Sequence, residues 1–224
     1  MAAAEPRTGE GGARGRRALV SDADRIIELY SRRAADWDVD RGRDLFEKPW
    51  LDRFLSMIPA GGSILDIGCG MGEPIASYFI ANGHSLTGVD AAPGLIALCQ
   101  ARLADHEWIT ADMRTLDLGM RFDRVLAWHS FFHLAHEPQR RMFQIFAAHA
   151  QPNAPLMFTS GWDHGEVLGS WHGEPLYHAS LDPAEYRELL HSNGFAVIDH
   201  VVQDPTCGHA TIWLAQKRLK SGVR

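Results

Sequence analysis

The chain has 224 residues, of which 46% are apolar and 22% charged. These are the proportions of a globular domain and exclude a largely disordered chain, a collagen-like repeat and a disulfide miniprotein. The length fits one domain with at most a small elaboration. The 22 basic and 28 acidic residues give a net charge of −6, which argues against nucleic acid as a partner, because phosphate binding needs clustered Lys and Arg. Cys69, Cys99 and Cys207 have neither disulfide-framework nor metal-ligand spacing, so the expectation is reduced thiols in the cytoplasm. No apolar run approaches the roughly 18 residues of a membrane helix.

Residues 1–18 are rich in Gly, Ala and Arg and carry four Arg against two Glu. Such a segment cannot bury enough surface to order itself and is expected to be a disordered tail. Arg16-Arg17 is not followed by the apolar core of a twin-arginine signal. The folded domain is expected over 19–220, its first part, 19–60, being helical. Ile26, Ile27, Tyr30 and Ala34 mark one face of a helix from Asp22 to about Asp36. Leu45, Phe46, Trp50, Leu51, Phe54, Leu55 and Ile58 mark another, which Pro59-Ala60-Gly61-Gly62 stops.

From there strands and helices alternate. Strands are expected at 63–67, 84–90, 107–110, 122–128 and 155–160, and helices at 73–82, 93–103 and 138–150. Asp182 and Pro183 open a further helix, with Glu185 placed to complete a capping box. Two last strands cover about 196–202 and 210–216. Such alternation means an α/β fold with a parallel sheet covered by helices on both faces.

The strongest local signal is Leu65-Asp66-Ile67-Gly68-Cys69-Gly70-Met71-Gly72, between the first strand and a helix. Glycines let the backbone approach a ligand and adopt positive φ, and the free N–H groups of a helix start attract an anion. Glu73 stands where the dinucleotide fingerprint wants its third glycine. Asp66, two residues before the first glycine, suits a cation rather than a pyrophosphate. Cys69 between glycines reads as small filler. Gly88-Val89-Asp90 follows twenty residues after Gly70, and an acid ending the second strand can accept both hydroxyls of a ribose. Asp112 and Met113, past the third strand, suit an adenine amino group and ring.

Together LDIGCGMG, GVD, the AD at 111–112 and FDRVLAWHSFFHL at 122–134 resemble the class I S-adenosylmethionine-dependent methyltransferases, over roughly residues 22–217. Within that family the chain looks like the compact bacterial enzymes that methylate small molecules. The resemblance implies a Rossmann-like, seven-stranded sheet, mostly parallel with a C-terminal antiparallel pair, and an N-terminal helical lid. It implies S-adenosyl-L-methionine as cofactor. Asp66 and the backbone of Gly68, Cys69, Gly70 and Gly72 would hold the methionine end, Asp90 with Ala91 the ribose, and Asp112 with Met113 the adenine. Trp128 would line the site. Tyr30, Trp37 and Arg41 would belong to the lid, Arg41 meeting the methionine carboxylate and an aromatic ring covering the sulfonium. Core packing is the alternative for Trp37 and Trp50.

His129 and His133 follow the fourth strand, at the sheet end where open α/β folds bind ligands. On a helical turn they would face one way. Either can serve as general base, with the rate falling below about pH 6.5. The segment 161–181 reads as a long loop or a hairpin, and the resemblance places it on the acceptor side, with Trp162, His164, Trp171, Tyr177 and His178 as acceptor-binding residues. Its His and Glu residues lack close metal-ligand spacing, so no metal is expected. No Asp-Pro-Pro-Tyr pattern follows the fourth strand, which turns the expectation from nucleobases toward a small-molecule acceptor. The rival readings are an NAD-dependent oxidoreductase and a catalytically silent S-adenosylmethionine-binding protein.

Overall fold

The computed structural model describes residues 21–219. The expected tail, 1–18, and residues 19, 20 and 220 of the expected domain lie outside them. The chain opens with α1 (Asp22–Arg32), whose N-cap Ser21 accepts a hydrogen bond from the Asp24 amide. The sequence pattern carries one helix on to about Asp36. Instead the helix breaks at Arg33, and α2 (Ala34–Asp40) follows. Arg33 bonds Asp36 and Glu174 at 2.9 and 2.8 Å, so a distant contact helps fix the kink. α3 (Lys48–Ser56) buries Trp50, Leu51 and Phe54.

Next come β1 (Ser63–Ile67), α4 (Ile75–Ala81), β2 (Ser85–Asp90), α5 (Pro93–Arg102), β3 (Glu107–Thr110) and β4 (Arg124–Ala127). A 3-10 turn over Phe131–His133 leads to α6 (His136–His149) and β5 (Pro155–Ser160). β6 (Gly165–Trp171) and β7 (Glu174–Ser180) form a separate antiparallel hairpin. α7 (Pro183–Ser192), β8 (Phe195–Asp204) and β9 (Ala210–Lys217) complete the chain. Asp182 caps α7 through the Ala184 amide, whereas Glu185 pairs with Arg140 of α6 rather than closing the box.

The main sheet has the order β3-β2-β1-β4-β5-β9-β8. β9 runs antiparallel to both β5 and β8, and the other pairings are parallel. Ile64, Leu65, Asp66 and Ile67 are all buried, because helices cover both faces; this is why parallel strands read as apolar runs. One face packs Phe131, Phe143, Phe146, Phe158, Tyr186 and Trp213. The other packs Trp50, Phe54, Phe79 and Trp108. Strand order reverses between β1 and β4, which opens a crevice at their carboxyl ends.

The hairpin roofs that crevice. Its two-residue turn, His172-Gly173, has positive φ at both positions (51° and 78°), as a type I′ turn requires. Tyr177 and Ala179 of β7 bury against Ile26 of α1. Arg32 and Arg33 reach Glu174 at 2.6 and 2.8 Å, and Trp171 Nε1 and His172 Nε2 reach the Asp40 carboxylate at 2.8 and 2.7 Å. α1, α2 and the hairpin thus form one roof. Among the described residues, no helix is long and apolar enough to cross a membrane.

Candidate active site

A cleft with two lobes lies at the carboxyl ends of β1, β2 and β4. The larger, about 720 Å³, is lined by Tyr30, Asp90, Ala91, Asp112, Met113 and His133 among others. The smaller, about 440 Å³, is lined by Arg41, Asp66, Cys69, Gly72 and Trp128. Trp37, Gly68, Gly70 and His129 line both and mark the junction.

The turn after β1 is built to be tight. A Cβ on Gly68 would sit 2.2 Å from Ser130 Cβ, at a φ of +78°. Only glycine allows that approach. The Gly68 and Cys69 amides donate to the Val89 carbonyl at 2.7 and 3.1 Å, and the Gly70 amide donates to Asp90 Oδ2 at 3.0 Å. These three amides therefore stitch β1 to β2. All three are thus engaged within the protein, and α4 begins only at Ile75, past the turn.

Asp66 is only 4% exposed. Burial, and next the charge of Asp90, push its carboxyl up to about 7. Asp90 is raised as well, by burial, against the pull of backbone amides. Its Oδ1 accepts from the Ala92 amide at 2.9 Å, and each oxygen keeps a lone pair for the cleft. Trp128 Nε1 is a buried donor without a partner. Such a group costs about 1–3 kcal/mol until a ligand satisfies it. Arg41 bonds the buried Glu47 while still lining the small lobe.

Asp112 departs from expectation in its company. Arg114 grips both of its oxygens through Nε and Nη2, at 2.7 to 3.0 Å, and its amide caps the same carboxylate. An adenine amino group must therefore share Asp112 with Arg114. The sequence reading overlooked Arg114, although it stands only two residues on and lines the same lobe.

His129 and His133 do not share a helix face. His129 has φ +48°, a strained backbone for a non-glycine residue, and its amide is held by Thr159 Oγ1 at 2.9 Å. Its ring reaches solvent within the cleft but is walled by protein, and burial, then Arg41 and His178, lower its pKa to about 4. His133 is buried, with its pKa lowered to about 3, chiefly by burial. Both imidazoles are neutral throughout the physiological range. Any titration of either ring is thereby moved well below the pH 6.5 of an ordinary histidine.

A third cavity, about 980 Å³, opens under the hairpin. Phe132, Ser160, Trp162, His164, Glu166 and His178 are among its lining residues. Of the five residues expected to bind an acceptor, Trp162, His164 and His178 line it. Trp171 instead stacks on Tyr30 at 5.5 Å, and Tyr177 is buried against α1. The ring of Phe132, also unremarked in the sequence, lies 5.8 Å from His129, 4.8 Å from His133 and 5.2 Å from His178. It stands between the cavity and the cleft. Among the described residues, no group of three or more His, Cys, Asp or Glu is arranged to hold a metal ion.

The sheet order and the switch-point cleft define the Rossmann-like fold of class I methyltransferases. Residues 64–153, from β1 to just past α6, match the family model described as a methyltransferase domain. No curated protein matches significantly by sequence. Solved structures share the fold. A 1,6-didemethyltoxoflavin N1-methyltransferase of Burkholderia thailandensis aligns with a TM-score of 0.68 at 21% identity, covering 90% of this chain and 92% of that one. An amino pentose methyltransferase of Micromonospora echinaspora, involved in calicheamicin biosynthesis, aligns with 0.66 at 20%, covering 83% and 96%. A sugar N-methyltransferase of a Streptoalloteichus species aligns with 0.66 at 18%, covering 98% and 99%. The chain thus carries a methyltransferase-domain match over residues 64–153 and shares the fold of S-adenosylmethionine-dependent methyltransferases.

Proposed function

We propose that the protein transfers a methyl group from S-adenosylmethionine to a small-molecule acceptor, leaving S-adenosylhomocysteine. The observation that carries this reading is the complementary chemistry of the two lobes. In the small lobe, Asp66 offers an anion to an α-ammonium, and Trp128 Nε1 with Arg41 offers donors to a carboxylate. In the large lobe, Asp90 offers free lone pairs to ribose hydroxyls, and Met113 a soft surface to a purine. A buried carboxyl and an arginine lining one lobe fit an amino-acid zwitterion. A dinucleotide would instead need the turn amides, which are already spent on Val89 and Asp90.

When bound, S-adenosylmethionine supplies a methyl already activated on a sulfonium, and giving it up removes that positive charge from the cleft. The protein's task is then to orient the acceptor and exclude water. The roof of α1, α2 and the hairpin excludes water, and Trp37 and His129 flank the junction where the methyl is delivered. The cavity under the hairpin holds the body of the acceptor in this reading, and its reacting atom passes Phe132 to the junction, beside Tyr30 and His133. The solved relatives described as acting on an amino pentose, a sugar amine and didemethyltoxoflavin lend support to an acceptor of that size.

Calorimetric titration should show S-adenosylhomocysteine binding and no NAD binding, and a panel of sugar amines and heterocycles should include a substrate. Trp162→Ala and His178→Ala should then raise the acceptor KM at least fivefold, with cofactor affinity unchanged within a factor of two. Tight NAD binding without S-adenosylhomocysteine binding would refute the function. Unchanged acceptor KM in both variants would refute this use of the cavity.

A further inference from the structure

His133 is held from both sides. Its Nδ1 lies 2.8 Å from the backbone carbonyl oxygen of Tyr177, on β7. A carbonyl has no proton to give, so Nδ1 carries the hydrogen and donates it. The ring is neutral, so Nε2 is a bare lone pair. Its partner is the Tyr30 hydroxyl of α1, at 3.3 Å, which donates to it. Tyr30 and His133 both line the large lobe, next to the junction residues Trp37 and His129. The phenol is itself fixed, stacked on Trp171 and edge-on to Trp37 at centroid distances of 5.5 and 5.4 Å. Three elements distant in sequence therefore aim one lone pair, through one hydroxyl, at the cleft.

We infer that Tyr30 and His133 form a proton relay for the methyl acceptor, in which the Tyr177 carbonyl sets the tautomer of His133 and the Tyr30 hydroxyl carries the acceptor's proton to Nε2. The inference rests on the methyltransferase reading above and adds an acceptor class: a neutral hydroxyl or amine, which must lose a proton on methylation, rather than a thiolate or carboxylate. The proton balance is closed. The acceptor oxygen or nitrogen gives its hydrogen to Tyr30 Oη as it gains the methyl. Tyr30 passes its own hydrogen to His133 Nε2 and is unchanged overall. His133 ends as an imidazolium whose Nδ1–H still donates to the Tyr177 carbonyl, and it later releases the proton to water.

Burial makes His133 a poor base at rest, and the relay accounts for why this is useful. An imidazolium formed beforehand would repel a cationic methyl donor. A cation formed during transfer replaces the one that disappears, so the buried cleft carries no added charge. His129 differs: no hydrogen bond to its ring is seen among the described residues, so nothing sets its tautomer, and its strained backbone aims it at the junction. It is assigned to contact with the cofactor and the acceptor, not to proton uptake.

Two readouts test the relay. The first needs no turnover: histidine 15N NMR of the cofactor-free protein, wild type and Tyr30→Phe. His133 should show a protonated Nδ1 and an unprotonated Nε2 from pH 5 to 8, and removing the phenol hydroxyl should move the Nε2 resonance while Nδ1 stays protonated. A proton on Nε2, or an Nε2 resonance indifferent to Tyr30→Phe, would overturn the proposal. The second is S-adenosylhomocysteine formation with amine, phenol and thiol acceptors. Tyr30→Phe keeps the ring stack and should fold and, at saturating cofactor, lose roughly 10²-fold or more in kcat. His133→Gln should lose a similar factor, and the double variant little more. A kcat within threefold of wild type in Tyr30→Phe, or turnover confined to thiols, would overturn the relay while leaving the methyltransferase reading intact. Failure of wild type to bind S-adenosylhomocysteine would strike that reading instead.

Discussion

Asp66 gives the sharpest link between stability and ligand binding. Its carboxyl is carried from 3.8 to about 7 by burial and by Asp90. A folded-state value above the unfolded one stabilises the folded chain only while the group is protonated. That contribution is full below about pH 4 and is lost as pH rises through about 7. At about 1.36 kcal/mol per tenfold change in proton affinity, ionised Asp66 costs the cofactor-free protein up to about 4 kcal/mol at pH 8. Asp66→Asn removes that cost. For a chain of this size, about 1 kcal/mol moves the melting temperature by roughly 2–4 °C. The variant should therefore melt up to roughly 8–16 °C above wild type at pH 8.5, with most of the gap gone at pH 5. Scanning calorimetry at the two pH values reads this directly.

The same substitution should weaken cofactor binding. Loss of one charge-assisted bond to an ammonium is worth about 1.5–3 kcal/mol, or roughly 10- to 150-fold in Kd. In the wild type a cationic ligand holds Asp66 ionised, so binding below pH 7 must release a proton. The apparent affinity should fall up to about tenfold per pH unit as pH drops below 7. Titrating S-adenosylhomocysteine at pH 6 in two buffers of different ionisation enthalpy counts that proton: close to one in wild type, none in Asp66→Asn. Proton-neutral binding at pH 6, or a melting gap of the same size at both pH values, would refute the reasoning.

Two further outcomes follow from the structure. Asp90 both braces the turn, through the Gly70 and Ala92 amides, and faces the large lobe, so Asp90→Ala should weaken S-adenosylhomocysteine binding at least tenfold by calorimetry and lower the melting temperature, whereas a loss in only one of the two would separate those roles. The lid is tied to the body where Arg102 grips Asp38 at 2.7 and 2.6 Å and Arg43 joins at 2.6 Å, holding that carboxyl down at about 2. Because exposed pairs are worth about 0.2–1 kcal/mol each and are screened by salt, Asp38→Ala should raise the cofactor Kd roughly three- to tenfold, and 0.5 M salt should weaken binding to wild type but not to the variant.

The parts of this protein that could be read from its sequence are those written in consecutive residues. β1, β3 and β5 fall where length, flanks and apolar runs put them, because a strand covered on both faces shows its burial directly. The glycine turn, Asp66 and Asp90 are legible for a related reason: their places at the cleft follow from backbone position at strand ends. What the sequence hid depends on partners far along the chain. The break at Arg33 reflects a carboxylate 141 residues away, and no local propensity shows it. Arg114 was within reach, because an Asp followed two residues later by an Arg is a local pair. The histidines mark the boundary most clearly. The types and the spacing of His129 and His133 suggest a base, but an ordinary imidazole would be charged at the wrong pH and could carry its proton on either nitrogen. Burial settles the first point, and a carbonyl on β7 settles the second. Both come from the roof that α1 and the hairpin build over the sheet, which lies outside the span matching the methyltransferase-domain family model, 64–153. The matched span supplies Asp66, Asp90 and both histidines. The proposed relay draws on span and roof alike, since His133 lies inside that span and Tyr30 and Tyr177 lie outside it.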